Sequence, residues 1–463
     1  MPTFRLLLLM IMTLPLCRLA HAEDRPPNFI LIYCDDLGYS DLGCFGSTKI
    51  ATLNLDRMAE QGMKLTSFYS TCSVCSPSRS SLMTGSYPRR VNLHVNSQNL
   101  CVLFPADRKG LNPKEVTIAD ALKTKDYATL CVGKWHLGDQ QDFLPTQQGF
   151  DEYFGIPYSN DMRRKGIPLP LVEGTKVIES PANQNTLTQR YTERVVKFIK
   201  QKKEQPFFVY LPHTFPHLPL FASNRFKGKS KGGRYGDTVE EIDWSMGEIF
   251  KALKEAGVDD NTMVVFTSDN GSRNPGSNFP LRGRKGQTWE GGMRVPCIVR
   301  WPGKVAANTT SDQVMVTFDM LPTFAKIAGV KLSDAITIDG KDVSPILFGE
   351  KGATSPHKAF YYYQMDQLQA VRSGKWKLHV ALESKKRNWG KPEGKVSLAL
   401  YDLDADISES KDVSSEHGQV VSQLLALANK ARAELGDNGK PGTGQREAGW
   451  VENGVPLLKA KAK

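Results

Sequence analysis

The chain has 463 residues, of which 40% are hydrophobic and 24% are charged. These fractions are ordinary for globular proteins and exclude a disordered or fibrous chain. A length of this kind suits two or three domains, or one large α/β domain with an appendage. The formal net charge of +11 attracts anionic substrates without identifying them. Because lysine and arginine are scattered and form no basic stripe with aromatic residues, no nucleic-acid partner is expected.

The N-terminus has the pattern of a secretory signal peptide. Arg5 is followed by an apolar run at residues 6–16 and by Ala-His-Ala at residues 20–22, a sequence typical of a cleavage site. We therefore expect residues 1–22 to be removed after Ala22, which predicts a secreted or periplasmic protein. No later segment approaches ~20 consecutive apolar residues, so stable membrane insertion is not expected.

The chain has eight cysteines, and the first of them, Cys17, lies in the predicted signal peptide. Processing as a lipoprotein at Cys17 is an alternative, although Leu16 is a poor residue to precede a modified cysteine. Cleavage leaves an odd number, which in an exported protein indicates that at least one cysteine has a fate other than a disulfide. The seven that remain are Cys34, Cys44, Cys72, Cys75, Cys101, Cys131 and Cys297.

Short apolar runs alternate with amphipathic helical patterns along most of the chain. The runs end in polar or glycine-rich loops and lie at residues 29–33, 128–132, 207–211, 263–267 and 295–299. Helical patterns cover residues 117–125, 187–202 and 238–256. This alternation predicts an α/β fold with a large mainly parallel or mixed sheet sandwiched by helices. In such sheets ligands bind at the carboxyl ends of the strands.

Beyond residue 350 the pattern changes to short strands and a single helix. The strands are predicted at residues 359–363, 370–372, 376–380 and 398–403, and the helix at residues 420–435. We expect a smaller C-terminal antiparallel sheet plus helix over residues 351–463, after a large α/β domain at residues 23–350 that carries the chemistry. The tail from residue 436 is rich in glycine and lysine and is expected to be irregular or loosely attached.

The most informative motif is CSPSRSSLMTG at residues 75–85. It resembles the signature of the sulfatase family, C-x-P-S-R followed by a small-apolar-Thr-Gly stretch, in which the cysteine is oxidised to formylglycine after synthesis. The alternative interpretation is a cysteine in a turn before a helix that starts at Pro77. It explains the local shape of the chain but not the other motifs. The spacing of Cys72 and Cys75 suggests a redox pair, but the residues after Cys75 favour oxidation to formylglycine.

A second motif, GKWHLG at residues 133–138, resembles the other signature of the sulfatase family. It directly follows the predicted strand at residues 128–132, which places Lys134 and His136 at the end of a strand. A lone histidine is often a satisfied, partly buried residue. Together with the first motif, the pair is interpreted as functional.

Two acidic pairs also follow predicted strands: Asp35-Asp36 and Asp269-Asn270. An isolated Asp-Asp is usually a turn or a helix cap, and Asp-Asn-Gly is a strong turn signal. Sulfatases use an early Asp-Asp and a later Asp-Asn pair as metal ligands, so the resemblance implies a metal site at these four residues and the modified Cys75. Calcium needs six to eight oxygen ligands, and crowded carboxylates favour it over magnesium.

One histidine and one lysine complete the resemblance. His217, in the sequence HTFPHLP, resembles the family histidine, with His213 as a less favoured alternative. Lys285 resembles the second sulfate-binding lysine, and it is ranked ahead of Arg282 and Arg284.

The resemblance implies a role in sulfate-ester hydrolysis for each of these side chains. Formylglycine from Cys75, as a hydrate with two hydroxyls, is the nucleophile, and the metal acts as a Lewis acid and template. Arg79 orients the nucleophile, and Lys134, Lys285 and His217 bind the sulfate. Asp269 is the base for the attacking hydroxyl, and His136 accepts the proton of the second hydroxyl. His217 also donates a proton to the leaving alcohol.

Two other functions remain open at this stage. One is a phosphonate monoester or phosphodiester hydrolase of the same alkaline phosphatase superfamily, and the other is a carbohydrate-binding protein that is never matured at Cys75. The expected partners are a sulfate ester such as a sulfated polysaccharide and a formylglycine-generating maturation enzyme. A specificity loop is expected within residues 161–179. Its basic cluster, MRRK at residues 162–165, is more typical of a solvated loop than of a substrate clamp.

Overall fold

A computed structural model describes residues 25–162 and 166–458 of the chain. The predicted signal peptide and residues 163–165 of the basic cluster lie outside these ranges. Within them, no helix combines the length and the apolar character needed to cross a membrane. The seven cysteines of these ranges are all free thiols.

Strands and helices are interspersed along the described residues. Strands of the first half are β1 Asn28–Cys34, β2 Met63–Tyr69, β3 Lys109–Gly110, β4 Ala128–Lys134, β5 Glu152–Ile156, β6 Leu171–Glu173, β7 Lys176–Glu179 and β8 Phe207–Pro212. Those of the second half are β9 Thr262–Ser268, β10 Arg294–Arg300, β11 Thr309–Ser311, β12 Met315–Val316, β13 Phe360–Gln364, β14 Gln367–Ser373, β15 Trp376–His379, β16 Ala399–Asp402, β17 Gly436–Asp437, β18 Lys440–Pro441 and β19 Gly449–Trp450. The helices are α1 Leu53–Glu60, α2 Cys75–Thr84, α3 Ile118–Lys123, α4 Leu187–Lys202, α5 Gly233–Glu255, α6 Glu290–Met293, α7 Met320–Ile327, α8 Ser344–Leu347 and α9 Gly418–Leu435.

Eleven strands form one large mixed sheet in the order β11-β2-β10-β9-β1-β8-β4-β5-β6-β7, with β12 paired to β2. The central strands β9, β1, β8, β4 and β5 are parallel, whereas β10 is antiparallel to both of its neighbours. The predicted α/β fold with a mainly parallel or mixed sheet is confirmed. Because β9, β1, β8 and β4 are adjacent and parallel, their carboxyl ends share one edge of the sheet.

Both faces of this sheet are buried by helices. Along β1, Ile30 and Ile32 pack into one core with α1, α4 and α5, while Phe29 and Leu31 pack into a second core with α2, α3 and α7. Successive side chains of a strand point to opposite faces, so a strand covered on both faces has to be apolar throughout. This explains the uninterrupted apolar run that the sequence shows at residues 29–33.

The second, four-stranded sheet has the order β13-β14-β15-β16 and is antiparallel throughout. Helix α9 packs against it through Leu424, Ala428 and Leu435, as the prediction of a smaller sheet plus helix requires. The same core includes Tyr69 of β2 and Val316 of β12, so the two sheets share buried surface. We propose that the division between them lies near residue 350, as the sequence suggests.

Two local features differ from what the sequence suggested, namely the helix start in the alternative interpretation of the Cys75 motif and the attachment of the largely irregular tail. Helix α2 begins at Cys75 and not at Pro77, so the cysteine itself opens the helix. The tail from residue 436 is also not loosely attached, since β19 pairs with β3 and Arg446 forms an ion pair with Glu115 at 2.8 Å. Its composition of glycine and lysine gave no sign of these long-range contacts.

A buried charge cluster joins the two sheets. Glu290, at the start of α6, accepts hydrogen bonds from Tyr69 of β2 at 2.5 Å and from Tyr362 of β13 at 2.8 Å. The ammonium of Lys377 on β15 lies 3.0 Å from the same carboxylate and 2.8 Å from Glu409. Burial alone would raise the pKa of Glu290, but the nearby cations outweigh it and hold this pKa well below its usual range.

Candidate active site

The predicted site residues meet at the carboxyl edge of the large sheet. Asp35 and Asp36 follow β1, Asp269 and Asn270 follow β9, and Lys134 is the last residue of β4. All five are fully or almost fully buried. Segments far apart in the chain therefore converge because parallel strands end at the same edge.

Cys75 lies at the centre of this group. Its Sγ atom is 3.5 Å from Asp35 Oδ1 and 3.4 Å from the Nζ atom of Lys285. Burial, followed by the charge of Asp35, raises the pKa of the Cys75 thiol well above its usual range. The side chain is 2% exposed, so it is reached only through a cavity.

Three cations neutralise the acidic residues. Lys134 forms a short ion pair with Asp35 and donates a hydrogen bond to Ser159 at 3.2 Å. The Lys285 ammonium lies 2.7 Å from Asp36. The third cation is Arg79 of α2. Buried charges are stable only when they are paired in this way, so removal of any one of them leaves an uncompensated charge.

Arg79 connects the signature helix to the sheet. Its guanidinium donates two hydrogen bonds to Asp269 Oδ2, at 2.8 and 3.2 Å, and a third to the Lys134 carbonyl at 2.9 Å. The second oxygen of Asp269 accepts the backbone N–H of Asp36 at 3.1 Å. Burial and the charge of Asp35 raise the pKa of Asp269 to about 7. Two predicted metal ligands and the predicted orienting arginine thus form one network.

His217 interacts with the site residues, whereas His213 forms no side-chain hydrogen bond to them within the described residues. His217 Nε2 lies 3.8 Å from Asp36, and Nδ1 lies 3.1 Å from Asn160 Oδ1 and 2.5 Å from the Leu218 carbonyl. The ring nitrogens of His213 are buried without a hydrogen-bond partner in the part of the chain that the structure describes. The geometry therefore favours His217 of the two histidines that the motif offers.

Lys285 is likewise distinguished from its two basic neighbours. Its ammonium contacts both Asp36 and Cys75. Arg282 instead lies over the Trp289 ring at 3.7 Å and donates to the Glu409 carbonyl at 2.7 Å. Arg284 has an exposed side chain.

His136 is buried close to the same centre. Its Nε2 atom lies 3.0 Å from the Leu103 carbonyl, and its Nδ1 atom is buried without a hydrogen-bond partner among the described residues. Burial, followed by the charges of Lys134 and Arg79, holds the pKa of His136 well below its usual range. Its backbone φ of 62° is left-handed, a strained conformation that is concentrated at functional sites.

The donor atoms of this group fit a hard divalent cation. Ligand atoms of Asp35, Asp36, Cys75 and His217 lie within 4.8 Å of one another. The Oδ1 atom of Asn270 is buried and accepts no hydrogen bond from the described residues, while its Nδ2 atom donates to Asp36 at 2.7 Å. Carboxylate and amide oxygens are the ligands that calcium and magnesium prefer.

A cavity of about 300 Å³ connects Cys75 with the surface. His136, Ser159, His217 and Lys285 line it together with the cysteine. Asp161 and Met162 also line it, and both belong to the segment in which the sequence predicts a specificity loop. Arg273 and Trp389 line it as well, and the sequence analysis did not single them out. Ser159 and Asn160 follow β5, a strand not predicted, so the strand-end rule would have found them had that strand been recognised.

Comparison with known proteins identifies the family. Residues 27–330 match the family model described as Sulfatase. The chain belongs to the sulfatase family. A second model, described as the C-terminal part of N-sulphoglucosamine sulphohydrolase, matches residues 284–434 of this sulfatase and covers the small sheet.

Two curated relatives and one solved structure illustrate the similarity. The sulfatase is 37% identical to arylsulfatase A of Homo sapiens over 391 residues, which is 77% of this chain and 75% of the relative. It is 38% identical to N-acetylgalactosamine-6-sulfatase of Canis lupus familiaris over 383 residues, or 78% and 73% of the two chains. The PsFucS1 sulfatase from Pseudoalteromonas sp. superposes with a TM-score of 0.79 at 27% identity, covering 88% of this chain and 90% of that chain. The protein is a sulfuric ester hydrolase with the fold of the alkaline phosphatase superfamily.

Proposed function

We propose that this sulfatase hydrolyses aryl sulfates or sulfated carbohydrates through a formylglycine made from Cys75 and a bound calcium ion. The main support for this proposal is the position of the Cys75 side chain. Its sulfur, whose place an oxygen takes after maturation, lies 3.4 Å from Lys285 Nζ and 3.5 Å from Asp35 Oδ1 in a cavity that His217 also lines. An ester sulfate that enters this cavity meets fixed cations and a proton donor around one reactive atom.

The two expected groups would be held by residues already described. Asp35, Asp36, Asp269 and Asn270 would bind calcium together with the modified Cys75. When bound, calcium supplies positive charge that polarises a sulfate oxygen. Formylglycine, when hydrated, supplies one hydroxyl as the nucleophile and keeps the other for the release step.

The chain itself supplies most of the charge that a sulfate ester requires. Lys134 and Lys285 are buried and fixed by their ion pairs, so they bind the sulfate oxygens without reorganisation. Fixed cations in a water-poor site act far more strongly than in solution, and removal of one such group typically lowers the rate by on the order of 10² to 10³. Arg79 holds the Asp269 carboxylate in place as the base for the nucleophile.

The two histidines have complementary tautomers. In His217, Nδ1 donates to the Leu218 carbonyl, so Nε2 carries a proton only in the imidazolium form, and it is this form that donates a proton from Nε2 to the leaving alcohol. In His136, Nε2 donates to the Leu103 carbonyl, which leaves Nδ1 as the basic nitrogen. His217 therefore acts as the general acid, and His136 accepts the proton of the release step.

Mass spectrometry of the peptide around position 75 tests the proposal directly. Conversion of the cysteine side chain to an aldehyde lowers the residue mass by about 18 Da. We expect this change in protein from the native host or from coexpression with a maturation enzyme. An intact thiol at Cys75 after competent maturation contradicts the proposal and favours a carbohydrate-binding protein. Paired assays with phosphate monoesters and phosphodiesters separate it from a phosphonate or phosphodiester hydrolase.

Replacing His217 by Gln is expected to produce a rate loss that depends on the leaving group. Alkyl and sugar sulfates leave as poor anions and need the proton, so we expect their kcat to fall by on the order of 10² to 10³. The effect on 4-nitrophenyl sulfate is expected to be roughly tenfold or less, because nitrophenolate leaves without a proton. The matched control is His213→Gln, which should leave this ratio unchanged. Equal losses for both leaving groups would refute the role of His217 as general acid.

Removal of the metal is expected to abolish turnover. After dialysis against a strong chelator we expect kcat/KM for 4-nitrophenyl sulfate to fall by on the order of 10²-fold or more, because the positive charge that polarises a sulfate oxygen is removed. Calcium should restore activity at lower concentration than magnesium, since several carboxylates crowd one site. Full activity in protein shown by elemental analysis to be metal-free would contradict the proposed site.

We also propose that the protein is exported after cleavage behind Ala22 and that a formylglycine-generating enzyme matures it. The sequence of residues 1–22 supports export. N-terminal sequencing of the mature protein should begin at Glu23.

A further inference from the structure

A second cavity adjoins the catalytic one. Its volume is about 290 Å³, and three of its lining residues, Arg273, Lys285 and Trp389, also line the cavity that holds Cys75. Lys285 is the cation in contact with the Cys75 sulfur. The two cavities are therefore neighbours on either side of one ammonium group, and we call the second one the side pocket.

One wall of the side pocket comes from the smaller C-terminal part of the chain. Backbone hydrogen bonds between Leu382 and Val396 and between Lys385 and Glu393 form a hairpin after β15. Gln367 and Gln369 of β14 fix this hairpin by bonding the backbone N–H and carbonyl of Lys386, at 2.8 and 2.9 Å. The hairpin is thus fixed to β14 of the small sheet by specific hydrogen bonds.

Trp389 at the tip of this hairpin presents an exposed aromatic surface beside the reactive residue. Its ring packs on Gly286, where an added Cβ would lie 2.5 Å from the ring, and Arg273 lies 5.4 Å from the ring centroid. The side chain nevertheless remains 46% exposed. A large amphipathic ring that is fixed at the mouth of a cavity gives a ligand contact area at little cost in conformational entropy. Ligand sites are commonly lined by such aromatic side chains.

The side pocket is strongly cationic. Its charged lining consists of one carboxylate, Glu393, and the six cations Arg273, Arg284, Lys285, Lys385, Lys386 and Arg387. Lys285 and Lys386 are paired with Asp36 and Asp366 outside the pocket. Within residues 25–162 and 166–458, no carboxylate lies within 4.0 Å of the Arg273 or Arg284 guanidinium. Glu393 lies 3.8 Å from the Lys385 ammonium and 3.9 Å from Arg387 Nε, so this one carboxylate is shared by two of the cations. The Arg273 and Arg284 guanidinium groups thus line the pocket without a carboxylate partner among the described residues.

Asn388 adds an unsatisfied polar group to the same wall. Both side-chain amide atoms are shielded from solvent and make no hydrogen bond to the described residues. Buried amides are normally hydrogen-bonded, so this side chain is open to a partner from outside the chain, either a ligand or a water molecule. An anion with several acceptor oxygens accepts hydrogen bonds from Asn388 Nδ2 and from the arginines together, and a sugar hydroxyl is a suitable donor to Asn388 Oδ1.

We propose that the side pocket binds a second anionic group of the substrate, and that the substrate is a polyanionic sulfated saccharide. This inference rests on the proposed function, because it places the scissile sulfate at Cys75. A sugar ring packs on Trp389, and a sulfate or carboxylate of the same or the next sugar binds Arg273, Arg284 and Arg387. The pocket contributes to substrate binding, and the residues described above carry out the chemistry at Cys75.

Inhibition by a polyanion tests the proposal without knowledge of the natural substrate. Dextran sulfate, carboxymethyl dextran, neutral dextran and inorganic sulfate are compared as competitive inhibitors of 4-nitrophenyl sulfate hydrolysis. The wild-type protein is expected to bind dextran sulfate more tightly than inorganic sulfate and to be insensitive to neutral dextran. In Arg387→Gln and in the double variant Arg273→Gln/Arg387→Gln, the ratio of the inhibition constants of dextran sulfate and sulfate should rise roughly tenfold or more.

The matched control is Arg57→Gln, which removes an exposed arginine of α1 outside both cavities and should leave this ratio unchanged. The proposal is overturned if this ratio is unchanged in the Arg387 variants, or if the inhibition constants of dextran sulfate and of sulfate rise equally. It is also overturned if the wild-type protein binds dextran sulfate no more tightly than sulfate. Carboxymethyl dextran shows whether carboxylates are accepted as well as sulfates. Direct binding of dextran sulfate to Cys75→Ser protein needs no turnover, so it separates a failure of the side pocket from a failure of the proposed function.

Discussion

Cys75→Ser is expected to abolish steady turnover of sulfate esters while leaving the fold intact. Serine is similar in size to cysteine, and position 75 is a buried helix start with room for a hydroxyl beside Lys285 and Asp35. A serine hydroxyl attacks sulfur, but the sulfate ester that it forms has no second hydroxyl through which sulfate is expelled. At most one equivalent of alcohol should therefore be released per active site in a rapid-mixing assay.

Cys72→Ser is the matched control for this experiment. Cys72 is a buried free thiol three residues before Cys75, so the same substitution there tests the general cost of burying a hydroxyl. It should retain multiple turnover, which would also exclude a redox pair formed by the two cysteines. Sustained turnover by Cys75→Ser over many equivalents would defeat the formylglycine mechanism, whereas loss of activity in both variants would indicate a folding defect.

The sequence predicted five strands of the large sheet correctly because one physical rule determines their composition. A strand buried on both faces must be apolar throughout, so β1, β4, β8, β9 and β10 appeared as continuous apolar runs. Helix α4 was predicted with the bounds that the structure has, since its apolar stripe repeats at the helical period. Helix α5 begins at Gly233, five residues before the predicted start, because two glycines in its first turn weaken the local signal.

The centre of the site was predictable for a different reason. Parallel strands end at one edge, so polar residues after β1, β4 and β9 had to meet there, and the resemblance assigned them roles. The hairpin that carries Trp389 could not be predicted in this way. Its contact with Gly286 joins segments about a hundred residues apart, and nothing in the local pattern of either segment specifies that contact.

Glu290→Gln is expected to cost roughly 3 to 5 kcal/mol in the free energy of unfolding. The substitution keeps the shape of the side chain but removes the negative charge that compensates Lys377, Arg372 and Arg294 in a buried cluster. Breaking a buried ion pair on one side leaves uncompensated charges, which cost this much in other proteins. The midpoint of urea unfolding should fall, and the small sheet should lose protection from hydrogen exchange before the large one.

The pH dependence of this loss distinguishes a charge effect from a packing effect. The pKa of Glu290 in the folded protein lies below its unfolded value of about 4.3, so the stabilisation is fully present above that pH and is lost as the pH falls through the folded-state pKa. The difference between wild type and Glu290→Gln should therefore be constant near neutral pH and shrink in acid. Glu416→Gln, at an exposed glutamate of the smaller part, should change stability by no more than about 0.5 kcal/mol. A difference for Glu290→Gln that stays constant into acid would show that packing, and not charge, holds the two sheets together at this point.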